Sequence, residues 1–121
     1  EEEFHGALVR EQVPAFMTRL HFFVSASRFE SFGVAIAEAL ACGLPVVTTD
    51  SGGPADFVGT NDGILVPLGD NDKLRNAIVQ MRDTYRNYDR AAMRQRVVMR
   101  FSASEVAEQI ERVYAEVLME Q

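Results

Sequence analysis

Two hydrophobic rhythms take turns along this chain. Residues 20–25 (L-H-F-F-V-S) form a compact apolar run of aromatic and β-branched side chains, which predicts a buried strand. Residues 27–32 read as a loop. Residues 33–42 are alanine-rich and predict a helix, with Gly43 as its left-handed stop. A second strand is predicted at 45–49, and the turn D-S-G-G-P at 50–54 leads into a short helix at 55–58. A third strand is predicted at 63–66. Gly69-Asp70 then caps a helix from 71 to about 85, in which Leu74, Ile78 and Met81 recur at helical spacing. Residues 88–100 read as helical. Ser102 or Ser104 caps a last helix whose Val106, Ile110, Val113 and Val117 form one apolar stripe. At the other end, residues 4–8 suggest a strand or its end. Residues 10–18 suggest a short helix with Val13, Phe16 and Met17 on its apolar side, and Pro14 falls early enough to be tolerated.

Strand and helix in alternation, with apolar strands, predict an α/β fold: a Rossmann-like parallel sheet flanked by helices. Such sheets bind ligands at the carboxyl ends of their strands. The loops at those ends, 26–32 and 50–54, are the richest in serine, glycine and carboxylate. The helical C-terminal third shows no chemistry and reads as packing or docking surface. A doubly wound sheet commonly has about five or six strands, against the three or four discernible here. The chain therefore reads as cut from something larger.

Composition narrows the picture by exclusion. A length of 121 residues fits one domain, and the 47% apolar and 25% charged fractions are ordinary for a globular protein. No apolar run approaches the ~20 residues that span a bilayer, and the start Glu1-Glu2-Glu3 has the wrong charge for a signal peptide. A cytoplasmic protein is expected. The net charge of −6 argues against nucleic acid as a partner and against a polybasic membrane patch. The single cysteine, Cys42, excludes an internal disulfide and a multi-cysteine metal site, and is expected to be a small buried hydrophobe. His5 and His21 have no ligand cluster around them and are expected to be structural.

The informative stretch is 30–47, E-S-F-G-V-A-I-A-E-A-L-A-C-G-L-P-V-V. Ser31, Phe32, Gly33 and Val34 precede and open a helix whose first N–H groups lack internal partners. Its macrodipole makes that end attractive to anions. Gly33 is expected to leave room for close approach of a ligand, so a phosphate or diphosphate belongs there. Glu38 follows roughly 7 Å along the axis, about the distance from a diphosphate to the ribose of the same nucleotide. A carboxylate accepting from two vicinal hydroxyls is a ribose clamp. Glu30 would face the far side of the phosphates. Two glutamates eight apart also arise by chance, and a Glu near a helix start is favourable without a ligand. The alanines 35, 37, 39 and 41 are expected to let the helix pack tightly on the sheet, fixing its N-terminus at the ligand edge.

With these residues in place, the segment resembles the E-x7-E signature of retaining glycosyltransferases of the GT-B fold (group 1, family 4-like). The matching residues are Glu30, Phe32, Gly33, Glu38, Ala39, Ala41, Gly43, Pro45 and Val46. T-T-D-S-G-G-P-A-D resembles the family's Gly-Gly loop, N-D-G-I-L-V-P-L-G-D its G-x-L-V-x-x-G-D segment, and R-F-S-A-S the start of its closing helix. The likeness covers nearly the whole chain, in the right order. It implies that Glu30 contacts the donor sugar, that Glu38 binds the ribose, and that backbone amides of Ser31, Phe32, Gly33 and Val34 hold the diphosphate. Ser51, Gly52 and Gly53 would line the same cleft. Asp56 stands where many members have Glu, and His21 where many have Asp.

The resemblance further implies a donor that is a nucleotide diphospho-sugar, such as a UDP- or GDP-sugar. It implies transfer with retention to a carbohydrate or lipid-linked acceptor, with no cofactor and no metal. An upstream Arg and Lys, and the acceptor-binding N-terminal domain, would precede residue 1. Residues 1–121 would then be an incomplete C-terminal, donor-binding domain, inactive alone. The full-length enzyme could lie at the periphery of the membrane. Two other readings stay open at this point: a non-catalytic nucleotide-sugar-binding module, and another GT-B enzyme such as a nucleotide-sugar epimerase.

Overall fold

The computed structural model describes residues 2–119; Glu1, part of the acidic start, and the last two residues lie outside them. Three parallel strands make the sheet, in the order β1 (Phe23–Ser25), β2 (Val46–Thr49), β3 (Gly63–Val66). Val46 pairs with Phe23 on one side and Gly63 on the other, and Thr48 with Ser25 and Leu65. Central β2 is buried along its whole length. Its side chains alternate between two layers. Val46 faces a core with Ile36, Ala39 and Leu40 of α2 (Val34–Ala41) and Met93 and Val97 of α4 (Arg90–Phe101). Val47 faces a second core with Val66 and with Ala77 and Met81 of α3 (Asn71–Thr84). Each fully buried Val, Leu or Met stabilises this sandwich by roughly 1.5–3 kcal/mol. The expected α/β class, a parallel sheet flanked by helices, is what the chain forms.

The closest fit between pattern and structure lies in the middle of the chain. β3 has its predicted bounds, and Asp70 caps α3, its carboxylate accepting from the Lys73 N–H at 2.9 Å. Gly43 adopts φ 75° beyond α2. The Leu44 N–H then reaches the Ala39 carbonyl and the Gly43 N–H that of Leu40, a Schellman closure. Ser102 Oγ accepts from the Glu105 N–H at the start of α5 (Ala103–Met119). Cys42 is half-buried against the first core.

Five readings need correction. Residues 4–8 form no strand, because nothing pairs with them; Phe4 is 99% exposed. The helix predicted over 10–18 is a 3-10 turn, Arg10–Gln12, followed by the single α-turn of α1 (Val13–Met17), with Pro14 at its start. The first strand is shortened to three residues, since only those reach β2. The helix predicted at 55–58 is a 3-10 turn, Gly53–Asp56. The alanines of α2 do not share a face: Ala39 is buried, Ala37 and Ala41 are half-buried and Ala35 is exposed. A spacing of two residues rotates about 200° around a helix, so such a set cannot line one side.

α4 is the tie across the first layer. Arg90 Nε donates to the Gly43 carbonyl (2.7 Å) and Arg94 Nε to that of Ala41 (2.9 Å). Further along the helix, Arg96 meets the buried Asp62 carboxylate at 2.6 Å. Asp62 also accepts from the Gly59 N–H, which fixes the turn before β3. α5 is different. It packs on α4, yet none of its residues is buried, and Val106, Ile110, Val113 and Val117 are 40–58% exposed.

Candidate functional site

The carboxyl ends of β1 and β2 are stitched into one ledge. Past Ser25 the chain loops outward and returns at Glu30, which bridges to Gly52 in parallel fashion. The Glu30 N–H donates to the Ser51 carbonyl (2.9 Å), and the Gly53 N–H to the Glu30 carbonyl (2.8 Å). Gly53 is needed for proximity. A Cβ there would fall on the Ser31 carbonyl oxygen and 2.5 Å from Phe32 Cα, so only glycine lets the two backbones meet.

That stitch leaves the start of α2 unfinished. A longer helix would give the Glu30 carbonyl to the Val34 N–H; here it is taken by Gly53. Gly33 is the N-cap, with φ 93° and no side chain to cap the helix. Its carbonyl accepts from Ile36 and Ala37. Among the described residues no backbone acceptor takes the Val34 or Ala35 N–H. Both residues are exposed, so these donors face outward at the positive end of the helix dipole.

Gly33 itself plays another part than the one expected. It is buried, and a Cβ on it would meet Ile36 Cδ1 and Pro54 Cγ at 3.2 Å. It serves the tight left-handed turn and the packing beneath, and does not open space for a ligand. Glu30 Cγ lies 3.4 Å from the same point, so that side chain runs beside the α2 N-cap. Glu38 is half-buried on the outer face of α2, one turn beyond the exposed Val34. Side chains on a helix lean toward its N-terminus, which tilts the Glu38 carboxylate back to the open end.

Among the other expected residues, Ser31 is exposed and Ser51 is 5% exposed. Ser51 Oγ is buried without a hydrogen-bond partner, at the point where its own carbonyl holds Glu30. Gly52 is exposed at the rim. Phe32 brings its backbone only, because its ring stacks on Phe57 (5.1 Å) and meets Phe101 edge-on (5.1 Å). Sequence reasoning missed this aromatic triad. It ties the site turn to the end of α4, helped by Arg100 donating to the Asp56 carbonyl. Three phenylalanines in unrelated elements leave no periodic signal. The ledge thus gathers Glu30, the turn after it, Glu38 and the Gly-Gly loop. It can offer N–H donors to an anion, with the Glu30 side chain beside them.

Comparison with known proteins gives a consistent result. A family model of group 1 glycosyl transferases matches residues 2–84. The chain is 32% identical over 93 residues to a GDP-mannose-dependent alpha-mannosyltransferase of Mycobacterium tuberculosis (strain CDC 1551 / Oshkosh), covering 75% of this chain and 25% of that protein. It is 32% identical over 96 residues to the N-acetyl-alpha-D-glucosaminyl L-malate synthase of Bacillus anthracis, covering 76% and 25%. Its fold is similar to the structure of a sucrose-phosphate synthase from Thermosynechococcus elongatus, with a TM-score of 0.81 at 27% identity, over 98% of this chain and 31% of that one. The chain spans about a quarter of the length of the two relatives. No described helix is long and apolar enough to cross a membrane.

Proposed function

The chain belongs to the group 1 glycosyl transferases, and on that premise we propose that it is the donor-binding part of a retaining enzyme that transfers a sugar from a nucleotide diphospho-sugar to an acceptor hydroxyl. The observation that carries this reading is the open start of α2, with outward N–H donors and the Glu30 side chain beside its N-cap. The diphosphate sits at that helix end, where aligned amides favour negative charge. Charge grows on it as the sugar departs, and fixed donors stabilise the transition state without reorganising. Glu38, leaning toward the same end, accepts from the ribose hydroxyls. Glu30, beside the N-cap, touches the sugar. Gly52 and Gly53 border the same cleft, with the buried Ser51 behind them.

Glu30, Glu38 and Asp50 also make the ledge acidic, so the helix amides alone do not neutralise a diphosphate. The upstream Arg and Lys that the resemblance implies supply the remaining positive charge, in place of a metal. A separate N-terminal domain brings the acceptor. Orientation of that kind lowers a barrier by ~7–11 kcal/mol, so these 121 residues alone are inactive in transfer. The test is Glu38→Gln in the intact protein, titrated calorimetrically with UDP and GDP. Loss of a charge-assisted hydrogen bond weakens binding by ~1.5–3 kcal/mol. Unchanged affinity for whichever nucleotide the wild type binds removes Glu38 from the site.

A further inference from the structure

At the opposite edge of the sheet, where the strands begin, lies a second concavity of about 500 Å³. It is formed by the turn before β3, the end of α3 and the start of α4. Its size falls within the range of small-ligand sites, ~300–1,000 Å³. Its chemistry is narrow. Thr60, Asn61, Gln80, Asn87 and Tyr88 bring amides and hydroxyls to a lining that is otherwise apolar, apart from Asp89 and Arg96. Among the described residues, no protein hydrogen bond engages the side-chain amides of Asn61, Gln80 or Asn87.

The two charged residues of the groove each have a protein partner. Arg96 is held by the Asp62 carboxylate and the Asn61 carbonyl. The Asp89 carboxylate caps α4 through the Ala92 N–H at 3.0 Å. Burial pushes the Tyr88 phenol above its ordinary value, so it remains a neutral donor. A phosphate would need a free cation here, and a metal ion free carboxylates. What the groove leaves available is a set of uncharged groups that both donate and accept. Sugar hydroxyls present the same dual character, and a side-chain amide pairs with two neighbouring hydroxyls at once.

We infer that this groove binds a neutral oligosaccharide, apart from the donor ledge. The site would hold an acceptor or product chain on the face of the domain away from the chemistry. That occupant rests on the proposed transferase function, while the groove itself uses neither Glu30 nor Glu38 and is tested apart from the donor ledge.

The experiment uses the intact protein and three probes: maltohexaose, cellohexaose and α-1,6-mannohexaose. Binding on the order of millimolar is expected for at least one of them, by calorimetry or affinity electrophoresis. Asn61, Gln80 and Asn87 are exposed, so their replacement leaves the fold intact, which circular dichroism checks. Asn61→Ala with Asn87→Ala should weaken the bound probe about tenfold or more, and Gln80→Ala severalfold. Glu38→Gln should leave it unchanged. Failure of all three probes to bind overturns the proposal. So does binding that the groove variants do not affect, or a groove that takes uridine or guanosine in preference to every oligosaccharide.

Discussion

At its C-terminal end α2 is closed twice over. The Schellman turn at Gly43 satisfies the carbonyls of Ala39 and Leu40, and Arg94 and Arg90 cap those of Ala41 and Gly43. At its N-terminal end the same helix has a cap without a side chain and two outward N–H groups. Capping energetics alone would favour finishing both ends, since a Ser, Thr or Asp N-cap gains roughly a few tenths of a kcal/mol over glycine. Instead the Glu30 carbonyl is diverted to Gly53, and the cap position is held by a glycine. The contrast separates two uses of polar groups within one helix. One end fixes its position against α4, and the other keeps its N–H donors free of backbone partners.

The sharpest way to break this contrast is at Glu30. If the open end works on a sugar phosphate, Glu30→Ala should reduce turnover of the intact enzyme on the order of a hundredfold, the scale for losing a group that acts on transition-state charge. Affinity for nucleotide without sugar should change little. Steady-state rates beside nucleotide titrations decide the matter. Equal losses in both would make Glu30 a helix-end electrostatic residue and nothing more.

Gly53→Ala tests the stitch that holds the end open. An added methyl would meet backbone, which cannot swing aside as a side-chain tip can. The two loops must part, at a cost of ~1–3 kcal/mol in stability, as for overpacked cores. Nucleotide affinity should fall with it, because the Glu30 carbonyl would be released toward the Val34 N–H. A stability loss with unchanged affinity would show that the stitch serves the fold alone.

The same contrast explains what could be read before folding. β2 and β3 were legible because Val46, Val47, Ile64, Leu65 and Val66 are continuous apolar runs, and α3 because Leu74, Ile78 and Met81 keep one period. Glu30, the turn after it and Glu38 lie within one local segment, so their neighbourhood at the start of α2 follows from spacing alone. What escaped is non-local. The arginines that close α2 sit 47 and 53 positions from their acceptors. The true role of Gly33 depends on Pro54 packing beneath it. The stripe on α5 has helical spacing like that of α3, yet it is exposed, because periodicity reports that a face is apolar and not what covers it.

The smallest expected effect lies at the closed end, where Arg94→Ala removes one capping hydrogen bond to Ala41. Arg94 is exposed, so solvent repays part of the loss, and about 0.5–1 kcal/mol of stability should go. Arg90 and the Schellman turn remain, so α2 should keep its length. An eight-residue helix is about 12 Å long, and dipole effects at one end fade within a turn. Nucleotide affinity should therefore stay at the wild-type value while the denaturation midpoint moves down. Calorimetric titration beside urea unfolding reads both quantities on one preparation. If affinity falls together with stability, the two ends of α2 are not independent, and the division of labour drawn between them fails.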